Sequence, residues 1–132
     1  MGPYLLDTNA VIAMLQAAPS GVKENIQRHA PKDIFISTVV MFELYYGAYR
    51  SQRVHRNLEL LEKIQLPKLE FDANDAIAAG EIRATLAGNG TPIGPYDVLI
   101  AGQAHSRGII LVTGNRKEFA RVSGLVIEDW SK

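Results

Sequence analysis

Along this chain, short apolar runs alternate with stretches whose apolar residues recur at helical spacing. Tyr4, Leu5 and Leu6 form a run that stops at Asp7, and residues 8–16 follow as a helix with Val11, Ile12 and Leu15 on one face. A second, short helix is predicted over 22–29, entered from the Pro19-Ser20-Gly21 turn. Ile34, Phe35 and Ile36 read as a strand that leads into Ser37 and Thr38, hydroxyl residues suited to capping a helix. Residues 39–51 and 54–65 then read as two successive helices, and 69–71 as a strand. Asp72 or Asn74 caps a long helix over 76–86, closed by Gly88, Asn89 and Gly90. Pro95 suits the first position of a helix that runs to about Ser106 and stops at Gly108. Residues 109–112 are the clearest strand; a short helix near Phe119 and a strand over 125–127 complete the pattern. Strands separated by helices predict a parallel sheet covered on both faces, an α/β sandwich. With no internal repeat, low-complexity stretch or linker, residues 1–132 read as a single domain.

Composition narrows the chemistry. A chain of 132 residues, 47% of them hydrophobic, buries roughly two-thirds of its unfolded surface and folds without staples. The absence of cysteine excludes a disulfide scaffold, a thiolate zinc site and a cysteine nucleophile. His29, His55 and His105 are far apart, which leaves histidine-based metal or triad chemistry without support. Fourteen basic residues balance fourteen acidic ones, so net charge does not announce a nucleic-acid partner. The balance is uneven along the chain, however. Arg50, Arg53, His55, Arg56, Lys63 and Lys68 are opposed in their stretch only by Glu59 and Glu62. That run is either a basic binding edge or a solvated helix face. No stretch reaches the roughly 18 apolar residues of a membrane helix, and the first residues lack a signal-peptide pattern; the expected location is the cytoplasm.

Several acids occupy positions where an apolar side chain would be expected. Asp7 stands at the end of the first strand, where functional residues of open α/β sheets gather; taken alone it also reads as a helix cap. Glu43 shares the helical face of Val40, Leu44 and Gly47, and Asp97 that of Ile100, Ala101 and Ala104. A carboxylate on a core-facing stripe needs a partner, a proton or a metal. The plainer alternatives are an edge position for Glu43 and a first-turn dipole interaction for Asp97. Glu118 has a plainer origin still, because Asn115 three residues before it makes a capping-box-like pattern. Acids converging at one sheet end repel one another unless a divalent cation joins them. An oxygen-only donor set selects a hard ion such as Mg²⁺ or Mn²⁺.

The motifs that hold these acids resemble those of a known family. Residues 5–9 (LLDTN), 36–48 (ISTVVMFELYYGA), 90–104 (GTPIGPYDVLIAGQA) and 110–130 (ILVTGNRKEFARVSGLVIEDW) occur in the order found in PIN domains of the VapC-type toxin ribonucleases, and they span nearly the whole chain. The resemblance implies a five-stranded, mostly parallel α/β/α sandwich and a Mg²⁺-dependent endoribonuclease, with Mn²⁺ a possible substitute. It maps Asp7 and Asp97 onto the principal metal-binding aspartates and Glu43 onto the acid of the helix after the second strand. The fourth acid of many PIN domains is replaced here by Asn115, which makes Glu118, one turn on, its candidate substitute and puts a second metal in doubt. Thr8, Asn9, Thr113 and Asn115 become candidates to orient the acids by hydrogen bonds. Arg50, Arg53 and Arg56 become candidates for RNA phosphates, and Tyr45, Tyr46 and Tyr96 for unpaired bases.

The resemblance also implies a VapB-type antitoxin threading a segment along the active-site groove, a toxin–antitoxin hetero-oligomer, and a homodimer to which Val39, Phe42, Tyr45 and Tyr46 contribute unless they face the core. A tRNA cut in an exposed loop is the first expected substrate. Rival classes fit less well. A haloacid-dehalogenase-like site needs a second acid where Asn9 stands, and a response-regulator-like site needs a lysine after the penultimate strand. Gly88, Gly90 and Gly94 have the wrong spacing for a nucleotide loop. A PIN-fold module that binds RNA or a partner without cutting is the remaining alternative, kept open by Asn115.

Overall fold

The structure, a computed structural model, describes residues 3–131. Five strands form one sheet: β1 (Tyr4–Leu6), β2 (Ile34–Ser37), β3 (Lys68–Leu69), β4 (Ile110–Val112) and β5 (Ile127–Glu128). Their order is β3-β2-β1-β4-β5, and every pairing is parallel rather than mostly so. The connections are α1 (Thr8–Leu15) and α2 (Gly21–Gln27), α3 (Thr38–Arg50) and α4 (Val54–Glu62), α5 (Ala73–Gly88) and α6 (Pro95–Arg107), and the short α7 (Arg116–Phe119).

Burial explains why the central strands read as unbroken apolar runs. Leu5, Leu6, Ile34, Ile36 and Leu111 are completely inaccessible, as strands covered on both faces require. From β1 the chain winds outward to β2 and β3, then returns to the other side of β1 for β4 and β5. The carboxyl ends of β1 and β4 therefore flank the point where the winding reverses, the usual place for a site in such sheets.

Two edge strands differ from their expected positions. β3 ends at Leu69 because the next backbone groups are used by side chains. Glu70 O accepts from Gln103 and Arg107, and Phe71 N–H donates to Thr38 Oγ1 at 3.2 Å. β5 begins at Ile127 because Leu125 N–H still closes a turn onto Val122 O. The long helix starts at Ala73, ahead of expectation, capped by Asp72 in a reciprocal box with Asp75; Asn74 lies inside it. Gly108 ends α6 in the left-handed conformation, φ 64°, as a glycine stop should. Gly102 lets α6 lie close on α5, since a Cβ there would stand 2.5 Å from Ala79 Cβ.

Candidate active site

Asp7, a candidate site residue, is also a helix cap. It follows β1, its Oδ1 accepts from Ala10 N–H at 2.8 Å at the start of α1, and it is only 5% exposed. Burial raises its pKa; the bonds from Thr113 and Ala10 oppose that shift, and the charge of Asp129 adds to it. Thr113 follows β4, so the two flanks of the winding reversal are joined through this one carboxylate.

Glu43 projects from α3 at the edge of its apolar stripe. Val40 and Leu44 are buried, but Gly47 is exposed and Glu43 half-buried. The expected face of four core positions is therefore narrower than the spacing suggested. Glu43 Oε1 accepts a 2.8 Å hydrogen bond from Thr8 Oγ1, which links α3 to the residue after Asp7.

Asp97 lies in the first turn of α6, half-buried, while Ile100, Ala101 and Ala104 of its stripe are fully buried. Its pKa is raised to about 7, first by burial, then by a hydrogen bond and repulsion from Glu118 and by the charges of Glu43 and Asp7. The four acids thus share one electrostatic environment although they come from four different segments. Gly94 is fitted against them: a Cβ there would stand 3.0 Å from Asp97 Oδ2 and 3.6 Å from Glu118 Oε1.

Glu118 keeps its capping geometry and joins the cluster as well. Its N–H is 3.4 Å from Asn115 Oδ1, its Oε2 accepts from Asn115 Nδ2 at 3.3 Å, and its Oε1 accepts from Gly94 N–H at 3.0 Å. The hydrogen bond with Asp97, then those from Gly94 and Asn115, hold it ionised despite partial burial. Within this pair the two carboxyls shift in opposite directions, Asp97 upward and Glu118 downward.

The remaining expected residues separate. Thr8, Thr113 and Asn115 bond site acids directly, whereas Asn9 is exposed and makes no hydrogen bond to one among the described residues. Arg56 lines a groove of about 480 Å³ with Thr8, Glu43 and Asn57. Arg50 and Arg53 do not line it; Arg50 bonds Tyr46 Oη at 3.1 Å and lies over its ring. Asp129 was not singled out by sequence, yet it lies close enough to Asp7 to shift its charge equilibrium. Its one signal was the IEDW end of the last motif.

Among the described residues the ion pairs both belong to Arg107, so none of Asp7, Glu43, Asp97 and Glu118 has a basic partner in contact. Nor does any set of three His, Cys, Asp or Glu side chains stand in ready ligand geometry among those residues. Asp7, Glu43 and Glu118 instead each hold a local donor, Ala10 N–H, Thr8 Oγ1 and Gly94 N–H respectively, while Asp97 shares a hydrogen bond with Glu118. Mutually repelling carboxylates with oxygen donors alone are chemically suited to a hard divalent cation.

An all-parallel sheet with acids gathered at its winding reversal defines an acidic-site α/β class, and a family model described as "PIN domain" matches residues 4–125. The chain belongs to the PIN-domain family. It is 45% identical over 130 residues to the "tRNA(fMet)-specific endonuclease VapC" of Shigella flexneri, covering 97% of this chain and 98% of that relative. It is 37% identical over 129 residues to "Ribonuclease VapC2" of Haemophilus influenzae, covering 96% and 97%. Its fold superposes with a TM-score of 0.91, at 42% identity and 98% and 99% coverage, on a chain from the crystal structure of DNA-bound VapBC from Salmonella typhimurium.

Proposed function

We propose that this chain is the endoribonuclease toxin of a toxin–antitoxin pair, with residues 1–132 a single PIN domain acting in the cytoplasm. The observation that carries this reading is the convergence of Asp7, Glu43, Asp97 and Glu118, without a basic partner in contact, in a chain 45% identical to a VapC endonuclease. No helix among the described residues is long and apolar enough to cross a membrane.

Asp7 and Asp97 are the residues to hold the cation, Mg²⁺ or alternatively Mn²⁺. When bound, such an ion supplies an acidified water as nucleophile and positive charge for the developing phosphorane. Repulsion from Glu118 adds to burial in raising the Asp97 pKa, and a cation held by Asp97 would relieve that repulsion. Glu43, fixed by Thr8, orients the attacking water and receives its proton. The new bond joins water oxygen to phosphorus, the bond to the 3′ oxygen breaks, and that oxygen takes up a proton from solvent water while Glu43 returns its own to solvent. The products are a 5′-phosphate and a 3′-hydroxyl.

Arg56, in the groove beside Glu43, pairs with a backbone phosphate of the substrate. Arg50 and Arg53, outside that lining, serve a more distant part of the RNA. Tyr96 is exposed and lies 5.6 Å from Phe42 between ring centroids, an arrangement suited to an unpaired base of a tRNA loop.

The same groove is walled by Ile12, Leu15, Leu44, Leu60 and Leu61 and suits an apolar segment of a VapB-type antitoxin. Phe42 and Tyr46, 54% and 59% exposed, are the homodimer candidates; Val39 and Tyr45 pack against the core instead.

The test is sequencing of RNA 5′ ends after brief expression of wild type and Asp7→Asn. A single wild-type-dependent cut in one structured RNA supports the reading and names the substrate. Identical end profiles, with folded and antitoxin-free protein verified, would overturn it in favour of a non-cleaving RNA- or partner-binding module.

A further inference from the structure

The segment after β5 is built into the acidic site. Glu128 O accepts from Thr113 N–H at 2.9 Å, so the chain leaves the sheet beside the residue whose hydroxyl bonds Asp7. Two residues on, Trp130 is 4% exposed. Its ring stacks on the His29 imidazole at 4.8 Å and 10° and leans on Tyr4 at 4.9 Å. Its Nε1–H donates to Glu128 Oε1 at 2.9 Å, and its carbonyl accepts from Asn25 Nδ2 at 3.1 Å. Gly21 completes this seat, because a Cβ there would come within 2.7 Å of Trp130 O.

Between those anchors lies Asp129. Its Oδ1 accepts from the N–H and the hydroxyl of Ser131, at 2.9 and 2.5 Å. The same oxygen is 3.9 Å from where a Cβ of Gly114 would stand. With Asn9, Thr113 and Ala10, whose N–H bonds Asp7, Asp129 lines a cavity of about 110 Å³ that is separate from Glu43's groove.

Holding a second carboxylate next to buried Asp7 runs against their mutual repulsion, so the segment must be held by something else. The buried indole contributes such a hold, since a tryptophan removes roughly 150–250 Å² from water.

We propose that Trp130 latches the segment after β5 so that Asp129 strengthens, through space, the grip of Asp7 on a divalent cation. Asp129 is a positioning residue: it acts through Asp7 and does not touch the cation. The inference rests on the cation-holding role of Asp7 proposed above. It gives Trp130, remote from the groove, a part in the site's chemistry.

The experiment is calorimetric titration of the antitoxin-free full chain with Mn²⁺, beside thermal unfolding in its absence. Asp129→Asn keeps an oxygen for the Ser131 bonds and removes the charge. It is expected to weaken Mn²⁺ binding about tenfold, within the range seen for outer-shell partners of metal ligands, while the metal-free Tm holds or rises. Trp130→Ala is expected to weaken binding to a similar degree, and Asp129→Asn/Trp130→Ala no further. If Trp130→Ala does not fold, Trp130→Phe keeps a ring in the seat, and its loss added to Asp129→Asn is read in the same way. Asp129→Asn binding Mn²⁺ as tightly as wild type, while Asp7→Asn does not bind, would overturn this inference alone. Unchanged binding in Asp7→Asn would overturn the cation-holding reading beneath it.

Discussion

Helix α6 carries an acid in its first turn and a base in its last, and the two ends show opposite ways of keeping a charge inside a protein. At the last turn, Arg107 reaches Asp75, a carboxylate with 0% exposure at the start of α5, with Nε at 3.1 Å and Nη2 at 3.0 Å. Burial pushes the Asp75 pKa up, but Arg107 and the N–H of Asp72 outweigh it, and the net shift is downward. The same guanidinium binds Glu70 O at 2.8 Å and so ties α5, α6 and the end of β3 together. At the first turn, Asp97 meets only burial and other acids, and its pKa rises to about 7. One end is finished by the chain itself; the other has no basic partner in contact among the described residues. The chain supplies its own counter-ion where the carboxylate serves architecture and leaves it out where, on the function proposed above, a cation would bind.

The widest separation of the two ends comes from neutralising each acid's situation. Asp97→Asn is expected to lower single-turnover RNA cleavage on the order of 10³-fold, the scale for removing a group that stabilises reaction charge. Its metal-free Tm should hold or rise, because a repelling charge has gone. A fall in Tm as large as that of a core ion-pair variant would erase the distinction drawn here.

Arg107→Met tests the opposite end. It strands Asp75 in the interior, and breaking a buried pair from one side costs about 3–5 kcal/mol. Chemical denaturation should show that loss, and adding Asp75→Asn should recover much of it. Cleavage per folded molecule should stay within a few-fold of wild type, since neither residue reaches the acids of the groove.

Proton linkage sharpens the contrast without any substitution. Asp97 binds its proton more tightly folded than unfolded, so the native state holds more protons between about pH 4, the ordinary aspartate value, and about pH 7. Its effect is that stability falls as pH rises through that window. Asp75 has the reverse sign: its contribution is full above the unfolded value and is lost as pH falls through its lowered pKa. Denaturant midpoints of metal-free wild type and Asp97→Asn at pH 5 and pH 8 should differ, with the downward slope flatter in the variant. Equal slopes would place the raised proton affinity elsewhere.

Much of this was legible in the sequence, for identifiable reasons. β1, β2 and β4 are covered on both faces and so wrote themselves as apolar runs. β3 and β5, two residues each, are fixed by backbone partners that side-chain patterns do not encode. Asp7, Glu43 and Asp97 stood out because a carboxylate beside an apolar stripe is an anomaly. Glu118 was visible through its capping pattern and as the acid one turn after Asn115 in the family motif. Asp129 sits in a stretch with no such anomaly, and Asp75 pairs with a base 32 residues away, beyond any local rule. Arg56 could not be told from Arg50 and Arg53 because a run of charge shows which residues are basic, not which helix face they share.

The smallest expected effect concerns the hydroxyl that joins the two flanks of the groove. Thr8 Oγ1 donates to Glu43 Oε1 at 2.8 Å, and that bond determines which carboxylate oxygen of Glu43 is left for a reacting water. Thr8→Val keeps the side chain's shape and removes the donor, so stability should change by only about 1 kcal/mol, the ordinary net worth of one hydrogen bond. If Glu43 acts on the water, a misdirected carboxylate should lower kcat about tenfold with KM unchanged, as loss of an orienting partner does. If Glu43 instead only binds RNA through a cation, the loss should appear in KM. A split between the two constants therefore separates a carboxylate that handles a proton from one that merely adds charge.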